Sequence, residues 1–185
     1  GEARMLIQPI RSNVCWSMDF MSDALVCGRK SRTLNVIDDY NREALLIMPS
    51  FSLPAIRVTQ LLDQLAIYRG YPDIIRVDHG PEFESFKFKE WAQKRAISIH
   101  YIQPGKPAQN GFIERFNRTY REDILDMNLF NNLQEVRALT REWLVVYNEQ
   151  RPHESLAGLS PVQFAKRREH VLAIKRRNFY FQPVL

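Results

Sequence analysis

Short apolar runs, first crowded together and then spaced apart, constrain this fold more than any other feature of the sequence. "VCWSMDFM" (14–21), "TLNVID" (33–38) and "EALLIM" (43–48) have the length and apolar content of strands. Only a polar turn around "CGRKSR" and the short "DYNR" separate them, so they read as antiparallel neighbours joined by hairpins. Two further runs, "DIIRVD" (73–78) and "ISIHYI" (97–102), are each reached through a helical stretch. The first stretch, 53–70, carries an apolar stripe of Val58, Leu61, Leu62 and Leu65, and Gly70 with Pro72 marks its stop. The second, 84–95, has Ser85 as its N-cap. Strands reached through helices run parallel, so an α/β domain with a five-stranded mixed sheet flanked by helices is expected.

From about residue 108 the pattern turns helical. Leu133, Val136, Leu139, Trp143 and Val146 fall on one face of the stretch 132–150. "SPVQFAKRR" opens with Ser160, Pro161 and Gln163 in the order of a capping box. The tail concentrates Lys166, Arg167, Arg168, Lys175, Arg176 and Arg177, which reads either as a solvated helix surface or as a DNA contact.

At 185 residues and 45% hydrophobic content the chain suits one domain with a real core. No apolar run reaches the ~18–20 residues of a membrane span, and "GEARMLIQPI" lacks a secretory signal, so no membrane partner is expected. Cys15 and Cys27 read as reduced thiols in a cytosolic setting, and His79, His100, His153 and His170 are too scattered for a zinc site. A net charge of +5 pushes mildly toward a polyanionic partner.

Three acids stand out. Asp19 and Asp78 each sit where an apolar run ends, and strand ends beside a crevice are where open α/β sheets bind ligands. A lone Asp there more often caps a helix or makes a turn. Two together, with a helical Glu, are harder to explain that way. In "PAQNGFIERFNRTYRED" (107–123), Asn110, Glu114, Arg118 and Arg121 fall on one helical face, with Phe116, Tyr120 and Ile124 roughly opposite. Carboxylates with water suit magnesium, and paired ions clamp the two oxygens of a phosphoryl displacement. Arginine grips the other phosphates through paired hydrogen bonds.

These residues resemble a known pattern. With 35 residues between Asp78 and Glu114, the trio is similar to the D,D-35-E signature of retroviral integrases and bacterial insertion-sequence transposases. "WSMDF", "VDHGPEF", "PGKPAQNGFIERFNRTYRED" and "YNEQRPHESLAGLSPVQFA" resemble the family's segments in order, across most of residues 14–165. The last is closer to insertion-sequence transposases. The resemblance implies a ribonuclease-H-like fold and two magnesium or manganese ions on Asp19, Asp78 and Glu114. It implies cleavage at an element's end, then attack of the freed 3′-hydroxyl on target DNA. It places Asn110, Asn117, Arg118 and Arg121 on the DNA side. Gly105 and Gly111 would bracket a segment mobile before DNA binds. Glu82 becomes either a neighbour of the metals or a turn residue; His79, Asp38 and Asp39 are read as turn residues.

The expected organisation is a lead (1–13), a catalytic core (14–165) and a basic tail (166–185). Such transposases usually carry a helix-turn-helix region before the core, so an isolated core or a truncated gene is expected. The expected partners are element ends and target DNA in the bacterial nucleoid, with a homo-oligomer on DNA and no small-molecule cofactor. A nuclease that only hydrolyses, and a non-catalytic DNA-binding or assembly module, are the alternatives.

Overall fold

The computed structural model describes residues 6–180, with side chains as far as residue 174, so Lys175, Arg176 and Arg177 lie outside the described side chains. Strands β1 (Cys15–Ala24), β2 (Lys30–Asp38) and β3 (Ala44–Ser50) form an antiparallel meander. Helix α1 (Ala55–Arg69) leads to β4 (Ile74–Val77). The short α2 (Pro81–Glu84) and α3 (Phe86–Lys94) then lead to β5 (Ser98–Tyr101). Both β4 and β5 are parallel additions, giving the order β3-β2-β1-β4-β5. The expected mixed sheet is therefore the observed one, with β1 at its centre.

Alternation along the strands makes two cores. Trp16 and Met18 of β1, Leu34 and Val36 of β2, and Ile75 and Val77 of β4 pack on one face with Val58, Leu61 and Leu62 of α1 and Phe88 and Trp91 of α3. The intervening residues look the other way. Met21 and Ile37 meet Ile113, Phe116 and Tyr120 of α4 (Gly111–Tyr120) and Val136 and Tyr147 of α5 (Leu133–Glu149). Burying aromatic side chains of this size contributes about 2–3 kcal/mol each. α4 is thereby fixed over the centre of the sheet.

The chain around α4 departs from an even 3.6-residue period at two places. Pro107–Asn110 is a 3-10 turn, and Arg121–Leu125 is a π-helical turn closing α4. Within α5, Val146 is 48% exposed instead of lying on the apolar face; Tyr147 and Asn148 take the inner positions. The Asn148 amide accepts from the Ala44 N–H at 2.8 Å and donates to the Ala44 carbonyl at 2.9 Å. Arg137 of α5 donates twice to the Pro49 carbonyl, at 3.0 and 2.8 Å. A polar residue thus displaces an apolar one because the edge strand needs its backbone satisfied.

The caps follow the sequence. Ser85 accepts from the Phe88 N–H at 3.2 Å. Ser160 and Gln163 bond reciprocally at 3.0 and 3.3 Å, completing the capping box of α6 (Pro161–Tyr180). That helix runs through position 165, where the core was expected to give way to a tail. No helix among the described residues is long and apolar enough to cross a membrane.

Candidate active site

Strand register brings Asp19 and Asp78 together. β1 and β4 run parallel with Ser17 beside Arg76. Two residues further along each lie Asp19 and Asp78, on the sheet face that α4 covers. Asp78 sits just past β4, where its Oδ1 accepts the Gly80 N–H at 2.9 Å. A Cβ on Gly80 would stand 3.0 Å from that oxygen, so the turn leaves no ordinary room for a side chain there. Glu114 arrives on the first turn of α4. Burial of Ile113, Phe116 and Tyr120 beneath it leaves Glu114 exposed.

Asp19 is half-buried and held from two sides. Its Oδ1 accepts from the Phe20 N–H at 2.8 Å, and its Oδ2 accepts from the Asn117 amide at 2.9 Å. Asn117 accepts in turn from Asn35 at 2.8 Å, and Asn35 lies opposite Asp19 on β2. This amide relay ties α4 to β1 and β2. Burial pushes the Asp19 carboxyl up to about 6; hydrogen bonds from Phe20 and Asn117 oppose this, and the charges of Asp78 and Glu114 add to it. All three acids therefore act within one electrostatic neighbourhood. Among the described residues none of them has a Lys, Arg or His ion-pair partner. Nor does any group of three or more His, Cys, Asp and Glu among those residues stand ready to hold a metal ion as placed.

The residues expected on the DNA side divide. Arg118 is exposed on α4, one turn after Glu114. Arg121 donates to the Ser22 carbonyl at 2.9 Å and stands 4.0 Å from Asp126, so its guanidinium is partly committed to the protein. Asn117 is turned to Asp19 rather than outward. Asn110 does not share the exposed face: it is 3% exposed, because the 3-10 turn rotates it inward. Its Oδ1 is buried without a partner among the described residues.

Three further placements matter. Glu82 pairs with Arg32 of β2, whose guanidinium lies 4.0 Å over the Phe20 ring. His79 bonds Glu84 and stacks on Tyr101 at 4.9 Å, as a turn neighbour would. Asp38 accepts the Tyr40 N–H at 3.0 Å, as a turn residue does, but Asp39 instead bonds Ser17 at 2.6 Å and Arg76 at 2.5 Å. Asn35 was not anticipated at all. Its signal was present: an amide between the apolar Leu34 and Val36 in "TLNVID".

A five-stranded sheet in this order, with carboxylates on adjoining central strands and on the helix packed across them, defines a ribonuclease-H-like core. Two sequence families, both described as integrase core domain, match residues 9–107 and 95–161. The chain belongs to the integrase core domain family. It is 41% identical over 164 residues to the 31.7 kDa protein of insertion element IS407 from Burkholderia multivorans, covering 89% of this chain and 59% of that one. It is 41% identical over 165 residues to the 39.2 kDa protein of insertion element IS476 from Xanthomonas euvesicatoria, covering 89% and 48%. The chain thus spans about half the length of these relatives. Its fold matches the HTLV-2 integrase catalytic core domain, solved in complex with magnesium, with a TM-score of 0.63 at 19% identity, over 84% of this chain and 98% of that one.

Proposed function

We propose that this domain is the catalytic part of a DNA transposase or integrase, a polynucleotidyl transferase that cuts and rejoins DNA in the bacterial cytoplasm. The observation that carries the reading is the field on Asp19. Burial raises its proton affinity first, the charges of Asp78 and Glu114 add to it, and no cation among the described residues pairs with any of the three acids. The donor set fits a hard divalent ion: three carboxylates, with Asp19 oriented by Phe20 and Asn117 and with Asp78 and Glu114 exposed. Asp19, Asp78 and Glu114 would hold two magnesium or manganese ions. When bound, such ions polarise a phosphodiester and make a water or a 3′-hydroxyl a stronger nucleophile.

The protein's own part is positioning. The amide relay through Asn117 and Asn35 keeps one Asp19 oxygen directed to α4. Asp78 is held by its turn. Arg118, one turn from Glu114, grips a neighbouring phosphate of the DNA. Water first cuts at an element's end and leaves a 3′-hydroxyl. That hydroxyl then attacks a target phosphodiester and displaces the strand beyond it. Both steps are in-line substitutions, so alignment supplies much of the rate. Two DNA ends must be joined together, which calls for more than one copy of the chain.

The test is Asp78→Asn, assayed on an oligonucleotide with a processed end. Strand transfer should fall at least about a thousandfold with the fold intact. Full activity would remove Asp78 from the reaction. Cleaved product without joined product in the wild type would reduce the activity to hydrolysis. A crystal soaked in manganese should show anomalous density among the three acids.

A further inference from the structure

On a helix turning about 100° per residue, Phe112 and Phe116 lie on the side of α4 opposite Glu114, and Arg115 flanks that side. That side borders a cavity of about 210 Å³, closed by the β2–β3 hairpin and by the loop after α5. Three guanidiniums line it: Arg42, Arg115 and Arg151. Arg151 is matched by Asp123 at 2.6 Å. Arg42 lies 3.5 Å over the Phe112 ring and donates to the Asp39 carbonyl, with no carboxylate partner among the described residues. Its backbone sits at φ 61, a conformation a bulky residue rarely adopts, and the stacking and the hydrogen bond fix it there. Arg115 has no side-chain partner among the described residues. Glu154 is the cavity's own carboxylate.

His153 completes the lining. Its Nε2 is buried without a partner among the described residues, and its ring meets Tyr147 edge-on at 5.1 Å. Burial and the three arginines push its imidazole down to about 4, so it is neutral near pH 7. A neutral imidazole with Nε2 protonated offers an N–H and adds no charge.

We propose that this cavity is a phosphate-binding site, separate from the three acids, that holds a backbone phosphate of a nucleic-acid strand. Arg42 and Arg115 supply the charge and paired donors, and His153 supplies one more N–H. Donors converging from a hairpin, a helix and a loop suit a tetrahedral anion better than a planar carboxylate. The Arg42 guanidinium, lifted partly out of water, binds an anion more strongly than a surface one. Since the lining contains none of the three acids and lies round α4 from Glu114, the phosphate it holds is not the one attacked there. The strand assignment rests on the DNA-joining reading; the phosphate chemistry does not.

The test uses the full chain without added metal. Inorganic phosphate is titrated while the ¹⁵N resonances of His153 are followed, and duplex binding is measured by anisotropy over a salt series. Phosphate should shift the His153 resonances, and Arg115→Glu should abolish that response. The same variant should bind duplex about tenfold more weakly, with a salt slope shallower by about one. Arg115→Lys should keep most of the duplex affinity. An unmoved His153, with Arg115→Glu binding duplex like the wild type, overturns the proposal. A phosphate response with unchanged duplex affinity keeps the phosphate site and overturns its assignment to a strand. If Asp78→Asn retains strand transfer while Arg115→Glu loses phosphate, the catalytic reading falls and this site stands.

Discussion

Two sets of carboxylates occupy the same sheet and are treated in opposite ways. At the end of β2, Asp38 and Asp39 are wholly buried and fully answered. Asp38 accepts the Asn13 and Tyr40 N–H groups and stands 3.6 Å from Arg69. Asp39 takes the Ser17 hydroxyl and Arg76. Burial pushes both carboxyls up, and these donors and cations pull them back. Around the middle of β1, Asp19 feels the charges of Asp78 and Glu114 and has neutral donors only. A buried charge left without a partner is costly, which is why Asp38 and Asp39 are matched; Asp78 and Glu114 are exposed, so water can answer them, and only Asp19 carries a burial cost.

Removing a cation from the matched set should give the largest effect on stability. Arg76→Met leaves Asp39 buried without its cation and should cost about 3 kcal/mol in urea unfolding. A cost below about 1 kcal/mol would show that the pair is not needed. The unmatched set should reveal itself through pH. Asp19 titrates near 6 in the folded chain against an ordinary 3.8. A raised pKa means that the stability from its protonated form is complete below about pH 3.8 and is lost as pH rises through about 6, a change of about 3 kcal/mol at this one group. Ser17→Ala, which strips one donor from Asp39, should cost about 1 kcal/mol. Asp78→Asn should move stability at pH 7 by no more than about 0.5 kcal/mol, upward if at all. It should also lower the pKa of Asp19, read from its carboxyl carbon resonance; an unmoved Asp19 would mean that the two acids do not share a field.

The sheet was legible because hairpin lengths and intervening helices leave one reasonable strand order. Asp78 was legible as the Asp that ends an apolar run, but Asp19, expected at a strand end, lies in the middle of β1, and it is the parallel register that sets it beside Asp78. What sequence reasoning lost were the local departures from helical period. A 3-10 turn before α4 buries Asn110, and a π turn after it brings Arg121 to the Ser22 carbonyl. Neither has a strong signature, since both arise from packing α4 onto a sheet already formed. Asn117 was assigned outward because its position on the helix permits it; only the presence of Asn35 across the sheet turns it to Asp19. Val146 was placed inward by its hydrophobicity, and Asn148 displaced it for the sake of a strand edge.

That edge bears on how copies of the chain can meet. A sheet's outermost strand ordinarily offers its backbone to any extended segment that drifts past. Here the side chains of α5 already occupy Ala44 and Pro49, and Pro49 has no N–H to offer. Extending the sheet through either end of β3 would therefore first have to displace the side chains of Asn148 and Arg137.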